Sequence, residues 1–427
     1  MSTKPTFRQQ QNKRSNFLTY GVLLAAFVAA LSLFAFPSNG YADGGFPFIG
    51  ILHAGQRPEG IAVDTQTHMV YIAYEYPGLI VCFDPIHGKV CWKEQLTDSA
   101  TDIQVDSTTH RVYAVSSIFR NRSGLLSVFD GATGKVLLTA TTGYGDNGLA
   151  VDMKRQRVYV SSSDSGVVNA YTLLPGEAGR FIVVSSTLHI GPHPQAIGVN
   201  SRLGRLYVGD ISDDNIRVYD EDSGRIVSTI RVGDLPVQPV RVDEASGRVY
   251  IVCSDGQELD VIDGNTNKVI ARVPTGPYPE GVAYNTATGR IYVTNEGQKD
   301  SGGGGNSVSV TMTVIDGQTF DVLGTLKVGR SPDGVEADPQ LRRIYVSLED
   351  SDAVLEVSDS VNLPLTPNPN LHQAIVSRQA LSVLRQATTV TVILMLLTIG
   401  GATLAALSQR RRARENLQTP PTGALSR

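Results

Sequence analysis

Along the middle of the chain, apolar residues come in short runs of strand length bounded by Gly, Asp, Asn or Pro. No stretch there sustains the period of an amphipathic helix, so the pattern predicts strands and tight turns. The runs repeat. Aligned on a tyrosine that follows an aliphatic residue, they give Tyr71, Tyr113, Tyr159, Tyr207, Tyr250, Tyr292 and Tyr345, spaced 42, 46, 48, 43, 42 and 53 apart. Six of the seven have Arg two residues earlier: Arg111, Arg157, Arg205, Arg248, Arg290 and Arg343. Each copy reads as four strands. The first ends in Asp64, Asp106, Asp152, Asn200, Asp243, Asn285 or Asp338, residues whose side chains accept from turn N–H groups. The second carries the tyrosine. The third ends in an Asp such as Asp84, Asp130 or Asp220, with Gly88, Gly134 or Gly224 four residues on, which suits a bulged hairpin into the fourth.

Four strands in about 45 residues is the size of a propeller blade. The expected fold is all-β: a seven-bladed β-propeller of four-stranded blades. The seventh copy stops after its third strand. A spare strand, Phe48 to His53, precedes the first copy, and its end (Leu52-His53-Ala54-Gly55-Gln56-Arg57-Pro58) parallels Leu188 to Pro194 at the end of a fourth strand. The N-terminal strand should therefore complete blade seven and close the ring, which removes open sheet edges.

The ends of the chain have another pattern. Phe17 to Phe36 is uncharged and follows Lys4, Arg8, Lys13 and Arg14. Ala387 to Leu407 is also uncharged and precedes Arg410, Arg411, Arg412 and Arg414. Either run makes a helix of roughly 30 Å, enough to cross a bilayer. The expected organisation is a signal peptide or N-terminal anchor over 1–42, cleavable after Gly40-Tyr41-Ala42, and a propeller over 43–360. A Pro-rich spacer and stalk over 361–386, a transmembrane helix over 387–407 and a basic tail over 408–427 follow. By the positive-inside rule the tail is cytoplasmic and the propeller outside a cell membrane. The chain would cross once, or twice if the first segment stays.

Composition narrows the function. The 427 residues carry 37 Lys+Arg against 41 Asp+Glu, a net charge of −4, which gives no basic field for nucleic acid. Three cysteines make no disulfide scaffold. Cys82 and Cys91 flank one hairpin, so they are a disulfide candidate or else two packed small side chains, while Cys253 has no evident partner. No zinc-protease, nucleophile-elbow or phosphate-loop motif occurs.

The sixth copy reads Tyr292-Val293-Thr294-Asn295, and Pro-x-Gly-Val/Ile-Ala and Asp-x-x-Thr-Gly-Lys elements recur. Over about Phe48 to Ser358 the chain resembles the YVTN β-propeller repeat family, and partly NHL repeats. The resemblance implies a seven-bladed propeller on a cell surface or in an exported protein, acting as a binding scaffold. The Asn position departs from the family elsewhere, being Tyr74, Ser116, Ser162, Asp210, Cys253 or Leu348, so no repeated Asn chemistry follows.

A propeller lines its central channel with the first strand of each blade. Just ahead of that strand's Gly/Ala position stand Glu59, Thr101, Asn147, Gln195, Gln238, Glu280 and Asp333, all polar. They are expected to form a ligand-binding collar at the channel mouth, or a merely solvated one. Glu59, Glu280 and Asp333 fall on blades adjacent after closure and could hold a divalent cation through oxygen. No other cofactor is expected. His189 and His193 are four apart, but at a strand end, where that spacing does not pair ligands. His68 and His110 occupy equivalent turns of two copies and read as part of the repeat. The expected function is non-catalytic binding of a protein, glycan or small ligand, with a lactonase-type hydrolase as the alternative. A quinoprotein dehydrogenase is disfavoured because those propellers resemble eight-bladed rings with repeated Trp, and this chain has only Trp92.

Overall fold

The computed structural model describes residues 48–96, 99–118, 122–145, 148–175, 181–297, 311–360 and 363–366. The terminal segments expected at 1–42 and 371–427, and the loop at 298–307, lie outside the described residues. Among the described residues no helix is long and apolar enough to cross a membrane.

The described strands form seven antiparallel four-stranded sheets. Six are simple meanders. In the seventh the order is Phe48–Leu52, Ala353–Ser358, Arg343–Leu348, Pro332–Asp338, with Ile51 opposite Leu355. The N-terminal strand thus completes blade seven, as the repeat count requires. The hairpin between third and outer strands takes the expected bulged form. Gly88, Gly134 and Gly224 adopt φ of 61°, 73° and 66°, and the register shifts beside the hairpin, as at Cys82/Phe83 and Val218/Tyr219.

That bulge sets the places of the two cysteines of blade one. Cys82 faces Trp92 across the ladder, and Cys91 is the extra residue of the bulged strand. Both are free thiols, Cys82 buried and Cys91 exposed.

Neighbouring blades share apolar cores. One cluster joins Tyr207, Ile216, Val218 and Ile230 of blade four to Val240, Val249, Ile251 and Cys253 of blade five. Another joins Ile61, Val63 and Ile72 of blade one to Tyr345 and Val354 of blade seven. Burying each such aliphatic side chain contributes about 1.5–3 kcal/mol.

The recurrent Arg-x-Tyr pair now has a role: it clasps the next blade. The Tyr71 hydroxyl donates to the Gly131 carbonyl at 3.2 Å, and Arg205 Nη1 donates to that of Gly264 at 2.5 Å. Arg248 reaches the Gly317 carbonyl, and Arg290 meets Asp359 at 2.8 Å. Arg111 lies over the Phe181 ring, 4.6 Å from its centre, and Tyr159 with Arg157 meets Glu221. Arg343 closes the set by donating to the Pro85 carbonyl of blade one at 3.4 Å. The two histidines also bridge blades, His68 Nδ1 to Asp338 at 2.7 Å and His110 Nδ1 to Asp64 at 2.6 Å.

Nearer the axis, hydroxyls on second strands latch one inner strand to the next. Ser161 donates to the Gln195 carbonyl at 2.6 Å, Thr294 to that of Asp333, and Ser347 to that of Glu59 at 2.8 Å. Thr294 is the Thr of the Tyr-Val-Thr-Asn motif, and it also accepts from Gly281 N at 2.7 Å. Asn295 serves its own blade, accepting from Gly276 N and donating to Thr311 and Thr313. Leu363 and Leu365 pack on the core of blades six and seven, and Thr366 pairs with Thr325 on the outer strand of blade six.

Ser347 latches the junction where the ring closes. Ser347→Ala should lower stability by about 0.5–1.5 kcal/mol, because the half-buried carbonyls of Glu59 and Gly334 lose their donor. Chemical denaturation checks this, and Ser347→Thr should recover most of the loss, since Thr does the same work in blade six. An alanine variant as stable as the parent would remove the latch from the account.

Candidate functional site

Each inner strand starts at one mouth of the channel. Glu59 lies in Gln56–Val63, Thr101 in Ser99–Asp106 and Gln195 in Pro194–Asn200. Glu280 lies in Pro279–Asn285 and Asp333 in Pro332–Asp338. All five line a single cavity of about 390 Å³. Gln238 sits in the corresponding strand, Pro236–Asp243, and its neighbour Val237 lines the same cavity. Asn147 lies outside the described residues.

The sequence reading missed a further set of lining residues. Glu75, Glu296 and Glu349 stand at or just beyond the ends of second strands, and Asp164 follows another. With Glu59, Glu280 and Asp333 they bring seven carboxylates to the cavity, against the one guanidinium of Arg57. The signal was available: the residue closing each second strand shares the mouth with the start of its inner strand.

Local bonds orient these groups. Arg57 pairs with Glu75 at 2.6 Å and with Glu349, so it neutralises part of one side. Ser254 donates to Glu280 at 3.1 Å, and Ser331 reaches Glu296 at 3.2 Å and Glu349 at 3.4 Å. Acidic walls around a recess focus a negative potential outward. The expected cation set is brought to one cavity without converging: among the described residues, no three His, Cys, Asp or Glu side chains form a group that could hold a metal ion. His189 and His193 stay exposed at the connection from blade three to blade four.

Three residues beyond the collar position, each inner strand presents Ala62, Gln104, Ala150, Gly198, Arg241, Ala283 or Glu336. The small residues leave room for the long ones. Arg241 of blade five reaches past Ala283 of blade six to pair with Glu336 of blade seven, and its Nε donates to the Val282 carbonyl at 3.2 Å. Asp102 replaces the glycine found at this point in four blades. Its carboxylate accepts from Ile103 N at 2.7 Å and Leu149 N at 2.9 Å. Burial pushes Asp102 up to about 6 from its ordinary 3.8, with Arg241 opposing the shift and Glu336 adding to it. A second cavity of about 370 Å³ opens where the inner strands of blades two to five end, walled by Val151, Val199 and Val242 with Gln104 and Lys154.

No family model matches the chain. It is 21% identical over 309 residues to the uncharacterized protein YncE of Salmonella typhi, covering 70% of each. To the protein of the same name from Salmonella typhimurium it is 22% identical over 257 residues, 57% of this chain and 70% of that one. Among solved structures, the β-propeller domain of Myceliophteria thermophila Cps50 (Swd1) superposes with a TM-score of 0.61 at 9% identity, covering 73% of this chain and 99% of that one. These likenesses support the seven-bladed fold and a remote relation to YncE. At such identity they carry no function.

Asp102 binds a proton more tightly when folded than when unfolded. Its contribution to stability is therefore present below about pH 4 and is lost as pH rises to about 6. Asp102→Asn should remove that slope. Unfolding free energies of parent and variant, compared from pH 4 to 7, should diverge in the variant's favour as pH rises; parallel curves would contradict the assignment.

Proposed function

We propose that this protein is a non-catalytic binding scaffold whose ligand seats in the acidic mouth of the propeller channel. The observation that carries the reading is the 390 Å³ cavity with seven carboxylates and one guanidinium in its wall. Such a wall favours a cationic ligand: an amine, or a Lys- or Arg-bearing protein segment. A hard divalent cation is the poorer fit, because the carboxylates surround the recess without converging. A glycan would find hydroxyl and amide partners in Ser99, Thr101 and Gln195, but it would gain nothing from the charge.

The setting proposed for this scaffold is outside the cell membrane, held by the segment at 387–407 with the basic tail inside. Support comes from the two uncharged runs and their flanking arginines and lysines. The resemblance to YVTN repeats agrees with a surface scaffold of this kind.

Titration of the full-length chain with spermine and with a short oligolysine, followed by calorimetry, tests the reading. Saturable binding should weaken steeply with salt, since exposed charges are screened over about 8 Å at physiological ionic strength. Changing Glu59→Gln, Glu280→Gln and Asp333→Asn together should weaken binding at least tenfold. Absence of binding to either cation would refute the proposal, and so would turnover of a lactone panel that the same three changes abolish.

A further inference from the structure

Away from the channel, blade one gathers three sulfur atoms. Met69 immediately precedes the second strand, Val70–Tyr76; Cys82 lies on the third, Leu79–Asp84; Cys91 lies on the outer strand, Lys89–Gln95. The bulge that takes Cys91 out of the ladder brings its Sγ to 3.8 Å from Met69 Sδ. Cys82 and Met69 belong to one apolar cluster. Cys91 is the bulge neighbour of Trp92, which pairs with Cys82, so the Cys82 side chain lies across the same bulge.

We propose that Cys82, Cys91 and Met69 form a binding site for one soft monovalent metal ion, Cu(I). The geometry fits. A metal at the centre of three sulfurs, with bonds of about 2.3 Å, sets them about 4 Å apart. The donor chemistry fits as well, since two thiolates and a thioether select soft ions over hard ones. Zinc lacks its usual complement, because among the described residues no three His, Cys, Asp or Glu side chains form a group that could hold a metal ion. Access runs from outside: Cys91 is exposed and Met69 half-buried, with Cys82 at the floor. Binding replaces the two thiol protons, which pass to solvent, and the metal stays Cu(I) throughout.

The test is anaerobic titration of the reduced full-length chain with Cu(I) in competition with bicinchoninate. One Cu(I) per chain should be retained, with ultraviolet charge-transfer absorption from thiolate to metal. Cys91→Ser should abolish retention. Met69→Leu should weaken it at least tenfold while leaving the thermal melting of the metal-free protein near that of the parent. Both side chains are at least partly exposed, so these variants keep the fold even if a Cys82 variant does not. Failure to retain Cu(I), or equal retention by Cys91→Ser, would overturn the site. So would a Cys82–Cys91 disulfide that persists in reductant, seen as two thiols blocked to alkylation.

Discussion

Seven inner strands must approach one another closely enough to close a ring, and the rest of the molecule depends on that approach. Glycine makes it feasible. A Cβ on Gly281 would collide with the Asp333 carbonyl oxygen, one on Gly334 with that of Glu59, and one on Gly198 with that of Val240. These are backbone atoms that cannot swing aside. Where the strands come this close, a second-strand hydroxyl fills the remaining need for a donor, as Thr294 and Ser347 do. Glycine and hydroxyl therefore act as a pair: the first allows the contact and the second fixes it. Farther out, the Arg-x-Tyr clasps hold the blades at the matching angle, so inner spacing and outer spacing are set independently.

The same constraint builds the mouth. The carbonyls that accept from Ser161, Thr294 and Ser347 belong to Gln195, Asp333 and Glu59, three collar residues. Their backbones are pinned by ring closure, so their side chains enter the recess from fixed points. Concentrating carboxylates there is unfavourable in itself. Serine donors at Glu280, Glu296 and Glu349, together with Arg57, offset part of that repulsion. A rigid ring can hold such charges together where a flexible loop would let them separate, and that is the physical basis for proposing recognition at this end.

Most of the fold was legible because it is repeated. The phase of Tyr71, Tyr113 and their counterparts marks the blades, and the parallel between Leu52–Pro58 and Leu188–Pro194 marks the closing strand. The collar was legible for the same reason, and five of its residues meet in one cavity. The Arg241–Glu336 pair was not. Simple alternation puts positions two and four beyond the collar on its face. A register irregularity between Val237 and Arg241, or between Pro332 and Val335, shifts the count to three. The place of Cys91 was hidden for a similar reason: a bulge sets it beside Trp92, the residue that faces Cys82, and against Met69.

What escapes a repeat-based reading is by construction whatever breaks the repeat. In this ring the breaks are not scattered. Asp102 stands where four blades have glycine, and Arg241 and Glu336 stand where four have alanine or glycine. A repeat fixes backbone geometry through positions that every blade shares, so those positions cannot also encode anything particular to one blade. Asymmetry needed to hold one ligand in one orientation must then come from single-blade exceptions. The channel meets this condition at two levels: six of the seven mouth carboxylates stand on blades six, seven and one, and the charged groups Asp102, Arg241 and Glu336 below stand on blades two, five and seven. The carboxylates draw a cation toward one side of the mouth, and the exceptions beneath them add a direction that sevenfold repetition by itself would lack.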